Sequence, residues 1–168
     1  MTLIERILVS DVMNREVIVC RASDTIETVV MAMIKYGISG MPVIDARERV
    51  IGVISEKDIA RVLAKRSGLS KSSQIRTSLE WLLFAGTHGG FASEKMASLI
   101  SLMKNETVKD HMSSPPVMVS TRASLRDALR LMVEKRVNRL PVVDKNRLVG
   151  IITRGDVMSF LARELWDL

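Results

Sequence analysis

Residues 9–59 of this chain return over residues 108–157, and a chain written twice in this way is constrained to fold one unit twice. Asp11 and Met13 in "SDVM" meet Asp110 and Met112 in "KDHM", and Ile18 and Cys20 meet Val117 and Val119. Ile26, Val29, Val30, Met33 and Ile34 fall on Leu125, Ala128, Leu129, Met132 and Val133 at a constant offset of 99. "MPVID" overlies "LPVVD", pairing Pro42 with Pro141 and Asp45 with Asp144. After one skipped residue, Gly52, Ser55 and Asp58 meet Gly150, Thr153 and Asp156.

Each copy reads as β-α-β-β-α, so the fold class is α+β. A short β run (residues 17–20 and 117–119) leads to helix-capping polar residues, "SDT" at 23–25 and "AS" at 123–124. Apolar residues then recur at i, i+3, i+4, i+7 and i+8, the inward stripe of an amphipathic helix. "GISGMPVID" and "RVNRLPVVD" give a strand entered through proline, where a missing N–H costs little. A polar turn, a second strand ("VIGVIS", "LVGIIT") and a final helix from "EKDIARVL" or "RGDVMSFL" complete the copy. A unit of about 50 residues buries little surface alone. Two copies are therefore expected to pack sheet to sheet about a pseudo-twofold axis, with clefts where they meet. The expected boundaries are 1–66 for the first repeat, 67–107 for a helical insertion or linker, and 108–168 for the second repeat. In the insertion, a basic Ser-rich turn precedes two helical stretches carrying Leu79, Leu82, Leu83 and Phe84, then Met96, Leu99, Ile100 and Met103.

Composition excludes several function classes. Cys20 is the only cysteine, in the apolar stretch "VIVC", so an inert buried thiol is expected, with no internal disulfide and no thiolate metal site. His88 and His111 have no Cys or His at ligand spacing, so no metal is expected. No run approaches the ~20 apolar residues of a membrane span. The N-terminus "MTLIERILVSDVM" lacks signal-peptide anatomy, which points to the cytoplasm. The net charge of +6 favours anionic partners, although one Tyr and no basic-aromatic stripe leave most of that charge as solvated surface. No nucleophile–base pair, no carboxylate pair beside a His and no Gly-rich phosphate loop is present, so a non-enzyme without a catalytic cofactor is expected.

Ser55-x-x-Asp58 and Thr153-x-x-Asp156 each stand where a strand gives way to a helix. One reading is a helix N-cap with an acidic residue at the third helical position. The other is half of a ligand site, since a carboxylate accepts from a diol while a hydroxyl and helix-terminal amides hold an anion. The two readings are compatible.

The phrases "DVM", "GISGMPVID" and "VIGVISEKDI", with "DHM", "RVNRLPVVD" and "LVGIITRGDV", resemble the tandem cystathionine-β-synthase (CBS) domain pair, or Bateman module. The resemblance covers both repeats and excludes the insertion. It implies a stand-alone regulatory module that binds an adenosyl ligand (AMP, ADP, ATP or S-adenosylmethionine) between the repeats, and a homodimer. The aspartate would take the ribose hydroxyls and the Ser or Thr the phosphate. Carried over by position, the preferred cleft combines Thr153, Arg154, Asp156 and Arg139 with Ile18, Ile38 and Ser39. A weaker cleft combines Ser55, Lys57 and Asp58 with Val117, Val137 and Asn138, because Gly40 stands at the position of Arg139 and Glu56 at that of Arg154. A nucleic-acid or scaffolding role for the basic insertion (Lys65, Arg66, Lys71, Arg76) is the alternative function.

Overall fold

A computed structural model describes residues 3–67, 101 and 103–166 of the chain. Most of the expected insertion, including Lys71, Arg76, His88 and both of its helical stretches up to residue 100, lies outside those residues. The first half runs α1 (Leu3–Arg6), α2 (Val9–Val12), β1 (Cys20–Arg21), α3 (Ile26–Tyr36), β2 (Gly40–Ile44), β3 (Val50–Ser55) and α4 (Glu56–Ser67). The second half repeats this from α2 onward: α5 (Val108–His111), β4 (Val119–Ser120), α6 (Leu125–Glu134), β5 (Arg139–Asp144), β6 (Arg147–Thr153) and α7 (Arg154–Trp166). Each half forms one three-stranded sheet, β1-β2-β3 and β4-β5-β6.

The β run expected at 17–20 shortens to β1, which lies parallel to β2 with Cys20 opposite Val43. Its counterpart β4 lies parallel to β5 with Val119 opposite Val142. A parallel pair needs a crossover, and α3 and α6 supply it. Both helices start as their sequences require. Thr25 accepts from the Thr28 amide at 3.2 Å, and Ser124 accepts from the Asp127 amide at 3.1 Å. Both also end alike, in a left-handed residue followed by a hydrogen bond back into the last turn. Gly37 (φ 62°) and Arg136 (φ 53°) occupy that position. Ile38 then donates to the Met33 carbonyl and Val137 to the Met132 carbonyl, each at 3.0 Å. The β5–β6 hairpin turns through Lys145 and Asn146, with φ 46° and 66°, the mirror-image turn that matches strand twist. In the first repeat that turn is one residue longer and carries Glu48 at φ 59°, which accounts for the skipped residue in the sequence repeat.

As packing units the chain divides differently from the sequence boundaries 1–66 and 108–168. One unit contains residues Met1–Ile18, Ala46–Val50 and Pro115–Leu168; the other contains Val19–Asp45 and Ile51–Ser114. The two repeats have exchanged their leading segments. In the unit built on the second repeat, Asn14 and Ile151 exchange two backbone hydrogen bonds of 2.9 Å, and Val9 donates to Ala123 at 2.9 Å. In the unit built on the first, Ser113 and Val53 exchange bonds of 2.9 and 3.1 Å, and Val108 donates to Asp24 at 2.9 Å. The physical reason is backbone satisfaction: the leading segments place their N–H and C=O groups on β6 and β3, whose outer edges would otherwise be bare.

Side chains seal each junction. Val9 and Met13 join Leu125, Ala128, Met132, Leu140, Val142, Ile152 and Val157 in one buried cluster. In the other unit Ile26, Val29, Met33, Met41, Ile54, Ile59 and Val108 are buried. Each of these Val, Leu, Ile and Met side chains contributes about 1.5–3 kcal/mol on transfer from water. Glycine makes the approach possible. A Cβ on Gly150 would stand 2.5 Å from Met13 Sδ and 3.1 Å from the Asn14 carbonyl, and one on Gly52 2.7 Å from Met112 Sδ and 3.1 Å from the Ser113 carbonyl.

Two measurements check this account. Gly150→Ala should cost about 1–3 kcal/mol in urea unfolding, because the methyl must displace the Met13 side chain and crowd the Asn14 carbonyl. Arg136→Gly should instead raise stability by about 0.5–1 kcal/mol, since only glycine adopts the left-handed conformation without steric cost.

Candidate functional site

The two Ser/Thr-x-x-Asp motifs fold alike at their junctions, β6 into α7 and β3 into α4. Thr153 is the last strand residue and Asp156 the third residue of the helix. Asp156 Oδ2 accepts from the Thr153 amide and from its hydroxyl, both at 2.7 Å, while Thr153 Oγ1 accepts from the Asp156 amide at 3.1 Å. This is the reciprocal cap anticipated from the sequence. In the first repeat Asp58 Oδ2 accepts from the Ser55 amide at 2.9 Å and its hydroxyl at 2.6 Å. The first helical amide is also used identically. Arg154 donates to the Asn138 carbonyl and Glu56 to the Ser39 carbonyl, both at 3.0 Å.

Each helix start is thereby fixed against the strand entry of its own repeat. One unit brings together Thr153, Arg154, Asp156, Asn138 and Arg139, the last directly opposite Thr153 across the sheet. Arg139 is buried on the strand, and Arg154 is exposed at the first position of the helix. Around Gly155, at the second helical position, a Cβ would meet only Thr153 Oγ1, at 3.5 Å. The other unit joins Ser55, Asp58 and Ser39, with Lys57 exposed and Glu56 half-buried. Ile18, Val117, Val137, Ile38 and Ser39 are half-buried and Asn138 is exposed. Through their carbonyls, Ser39 and Asn138 are each hydrogen-bonded to the helix start of their own repeat.

The two carboxylates differ in what remains open. Asp156 is half-buried, and its Oδ1 has no hydrogen-bond partner among the described residues. Asp58 is 3% exposed, with Oδ1 taken by Arg61 Nη1 at 2.9 Å and by the Ser113 hydroxyl at 3.5 Å. Sequence reasoning missed Arg61 and Ser113. A signal was available: Ser124-x-x-Asp127 is followed at the same spacing by Arg130, which donates to Asp127 Oδ1 at 3.2 Å in an arrangement that is only a helix cap. The Ser124 hydroxyl bond lowers the Asp127 pKa, with the Arg130 and Arg126 charges adding to it.

The remaining candidates are quiet. Cys20 is buried, its thiol pushed up to about 12 by desolvation and by the Asp24 charge, and the thiol donates to the Pro42 carbonyl at 3.8 Å. Such a thiol carries almost no thiolate at neutral pH. His111 Nε2 and Glu106 Oε2 pair at 2.6 Å, and no cluster of His, Cys, Asp or Glu able to hold a metal occurs among the described residues. No described helix is long and apolar enough to cross a membrane.

Known proteins resemble this chain in sequence and in fold. The chain is 30% identical over 158 residues to the uncharacterized protein MJ1426 of Methanocaldococcus jannaschii, covering 94% of this chain and 92% of that protein. It is 31% identical to the chloroplastic CBS domain-containing protein CBSX2 of Arabidopsis thaliana over 147 residues, 83% of this chain but 56% of that protein's length. The crystal structure of CBSX2 in complex with AMP superposes with a TM-score of 0.67 at 29% identity, covering 94% of this chain and 97% of that one. The CBS domain pair of protein MJ0100 shares the fold with a TM-score of 0.67 at 19% identity. The CBS domain family itself matches residues 9–65 and 108–163, the two repeats. With both repeats matched and the paired fold shared, the chain belongs to the CBS domain family as a tandem pair.

Proposed function

We propose that the chain is a regulatory module that binds an adenine nucleotide through the Thr153–Asp156 junction, with no catalytic step of its own. The observation that carries this reading is the half-used carboxylate of Asp156. One oxygen is locked in the helix cap, which fixes the orientation of the group, and the other has no donor among the described residues. A ribose diol supplies the two donors that such an oxygen can accept. The neighbouring groups suit the phosphate. The start of α7, the open surroundings of Gly155 and the guanidinium of Arg154 all favour an anion, and a guanidinium can contact it through two N–H groups at once. CBSX2, whose crystal structure contains AMP, supports the ligand class.

The reading carries a switch in the usual thermodynamic sense: a ligand shifts only those states it binds unequally. It also carries a homodimer, and the exposed Val133 and Met158 are apolar surface that a second copy would cover. The basic-insertion alternative draws on Lys65, which is exposed, while Lys71 and Arg76 fall outside the described residues.

Isothermal titration calorimetry with AMP tests the reading. Wild-type protein should bind saturably, and Asp156→Ala should weaken AMP at least about tenfold, the loss of roughly 1.4 kcal/mol or more expected for hydrogen bonds to a charged group. Full AMP affinity in Asp156→Ala, or no AMP binding by the wild type, would remove the proposal. Duplex DNA binding that falls steeply with salt would favour the alternative.

A further inference from the structure

The two junctions share a strand end, a helix start and a hydroxyl that donates to the aspartate, yet among the described residues only one leaves its aspartate half open. The difference traces to two positions. Three residues after Asp58 stands Arg61, and three residues after Asp156 stands Ser159. The segment paired to β3 contributes Ser113, whose hydroxyl reaches Asp58 Oδ1 at 3.5 Å; its counterpart on β6 is Asn14, whose side chain accepts from the Glu16 amide at 2.9 Å instead. Asp58 therefore has both oxygens occupied from within the protein and is 3% exposed. Asp127 with Arg130 reproduces the same pattern on α6: hydroxyl on one oxygen, arginine from the next turn on the other.

From this pairing we infer that Arg61 determines which copy of the motif accepts a ligand, by filling with its own N–H the carboxylate oxygen that a ribose diol would require. The inference rests on the nucleotide reading and assigns its specificity. Asp58 is a structural cap, and the chain takes its adenosyl ligand through Asp156 alone. The geometry favours the internal donor. Arg61 leaves the following turn of the same helix and meets Asp58 Oδ1 at 2.9 Å, so a ligand must displace an ion pair that is already formed. Removing the arginine exposes the same group that Asp156 presents. The Arg61 side chain is 62% exposed, so its truncation leaves no cavity in the core.

The test uses the Asp156→Ala chain, in which the open junction is removed. Adenosine is the probe for the first junction, because it carries the diol without the phosphate that Glu56 repels. Asp156→Ala alone should bind no adenosine, and adding Arg61→Ser, the residue of the second repeat, should create saturable binding that Asp58→Asn abolishes. Arg61→Met, which keeps the aliphatic stem, should behave as Arg61→Ser does, and thermal melting confirms that each variant is folded. If wild-type protein binds AMP but neither Arg61 variant gains adenosine binding, the role assigned to Arg61 is wrong and the Asp156 reading stands. If Asp156→Ala alone already binds adenosine through Asp58, the role of Arg61 is again wrong. If wild-type protein binds no AMP, the nucleotide reading fails and this inference with it.

Discussion

The structure depends on two backbone hydrogen bonds in each unit, Asn14 with Ile151 and Ser113 with Val53. They add a short strand-like partner to the edge of β6 and of β3, and they do so with the leading segment of the opposite repeat. Two residues beyond Ile151 lies Thr153, and two beyond Val53 lies Ser55. The bonds that close the edge thus hold the strand ends from which both helices start. A β edge left open would expose its polar groups and invite pairing with other chains, so the exchange serves stability and placement together. Gly52 and Gly150 are the cost of the close approach, since a side chain at either would collide with Met112 or Met13.

From that anchored strand end, the cap does the local work. In both repeats the aspartate accepts from the amide and the hydroxyl of the Ser or Thr that precedes the helix, and in the second repeat the Thr153 hydroxyl also accepts from the helical amide of Asp156. The first amide goes elsewhere, to the carbonyl of Asn138 or Ser39, so helix, strand entry and motif form one rigid corner. A ligand contact built on such a corner starts with its geometry already fixed, and little entropy is lost in ordering the protein groups. In the proposed reading, cap and ligand site are one device seen from its two oxygens: Oδ2 holds the helix, and Oδ1 is filled at Asp58 by the next turn.

Much of this was legible in the sequence, and the limits have physical causes. The repeat, the order of long helices and strands, and the caps at Thr25 and Ser124 follow from periodicity and side-chain chemistry, and the structure agrees with them. The exchange of leading segments was not legible. α2 and α5 are four residues each, barely one turn, and carry no period to read. Periodicity names an element and its buried face without naming the partner. "SDVM" and "KDHM" are matching phrases in the sequence, and the structure gives their aspartates related local bonds, Asp11 accepting from the Leu8 amide at 3.0 Å and Asp110 from the Thr107 hydroxyl at 2.6 Å.

The site residues show a subtler limit. Gly40 against Arg139 and Glu56 against Arg154 could be compared by position, because the repeat aligns them, and they rank the copies by phosphate attraction. The state of the aspartates depends instead on a side chain one turn further along, and on a serine from a segment that the sequence assigns to the other repeat. Arg61 looks like any solvated arginine until Asp58 is seen to be buried, for an exposed carboxylate would gain little from it. Burial changes the balance. A carboxylate removed from water must have its oxygens satisfied, and once Arg61 and Ser113 do so, any ligand must offer more than they do. The two Ser/Thr-x-x-Asp motifs thus differ not only at the positions between hydroxyl and carboxylate but in the occupancy of a single oxygen, which side chains outside the motif set at Asp58.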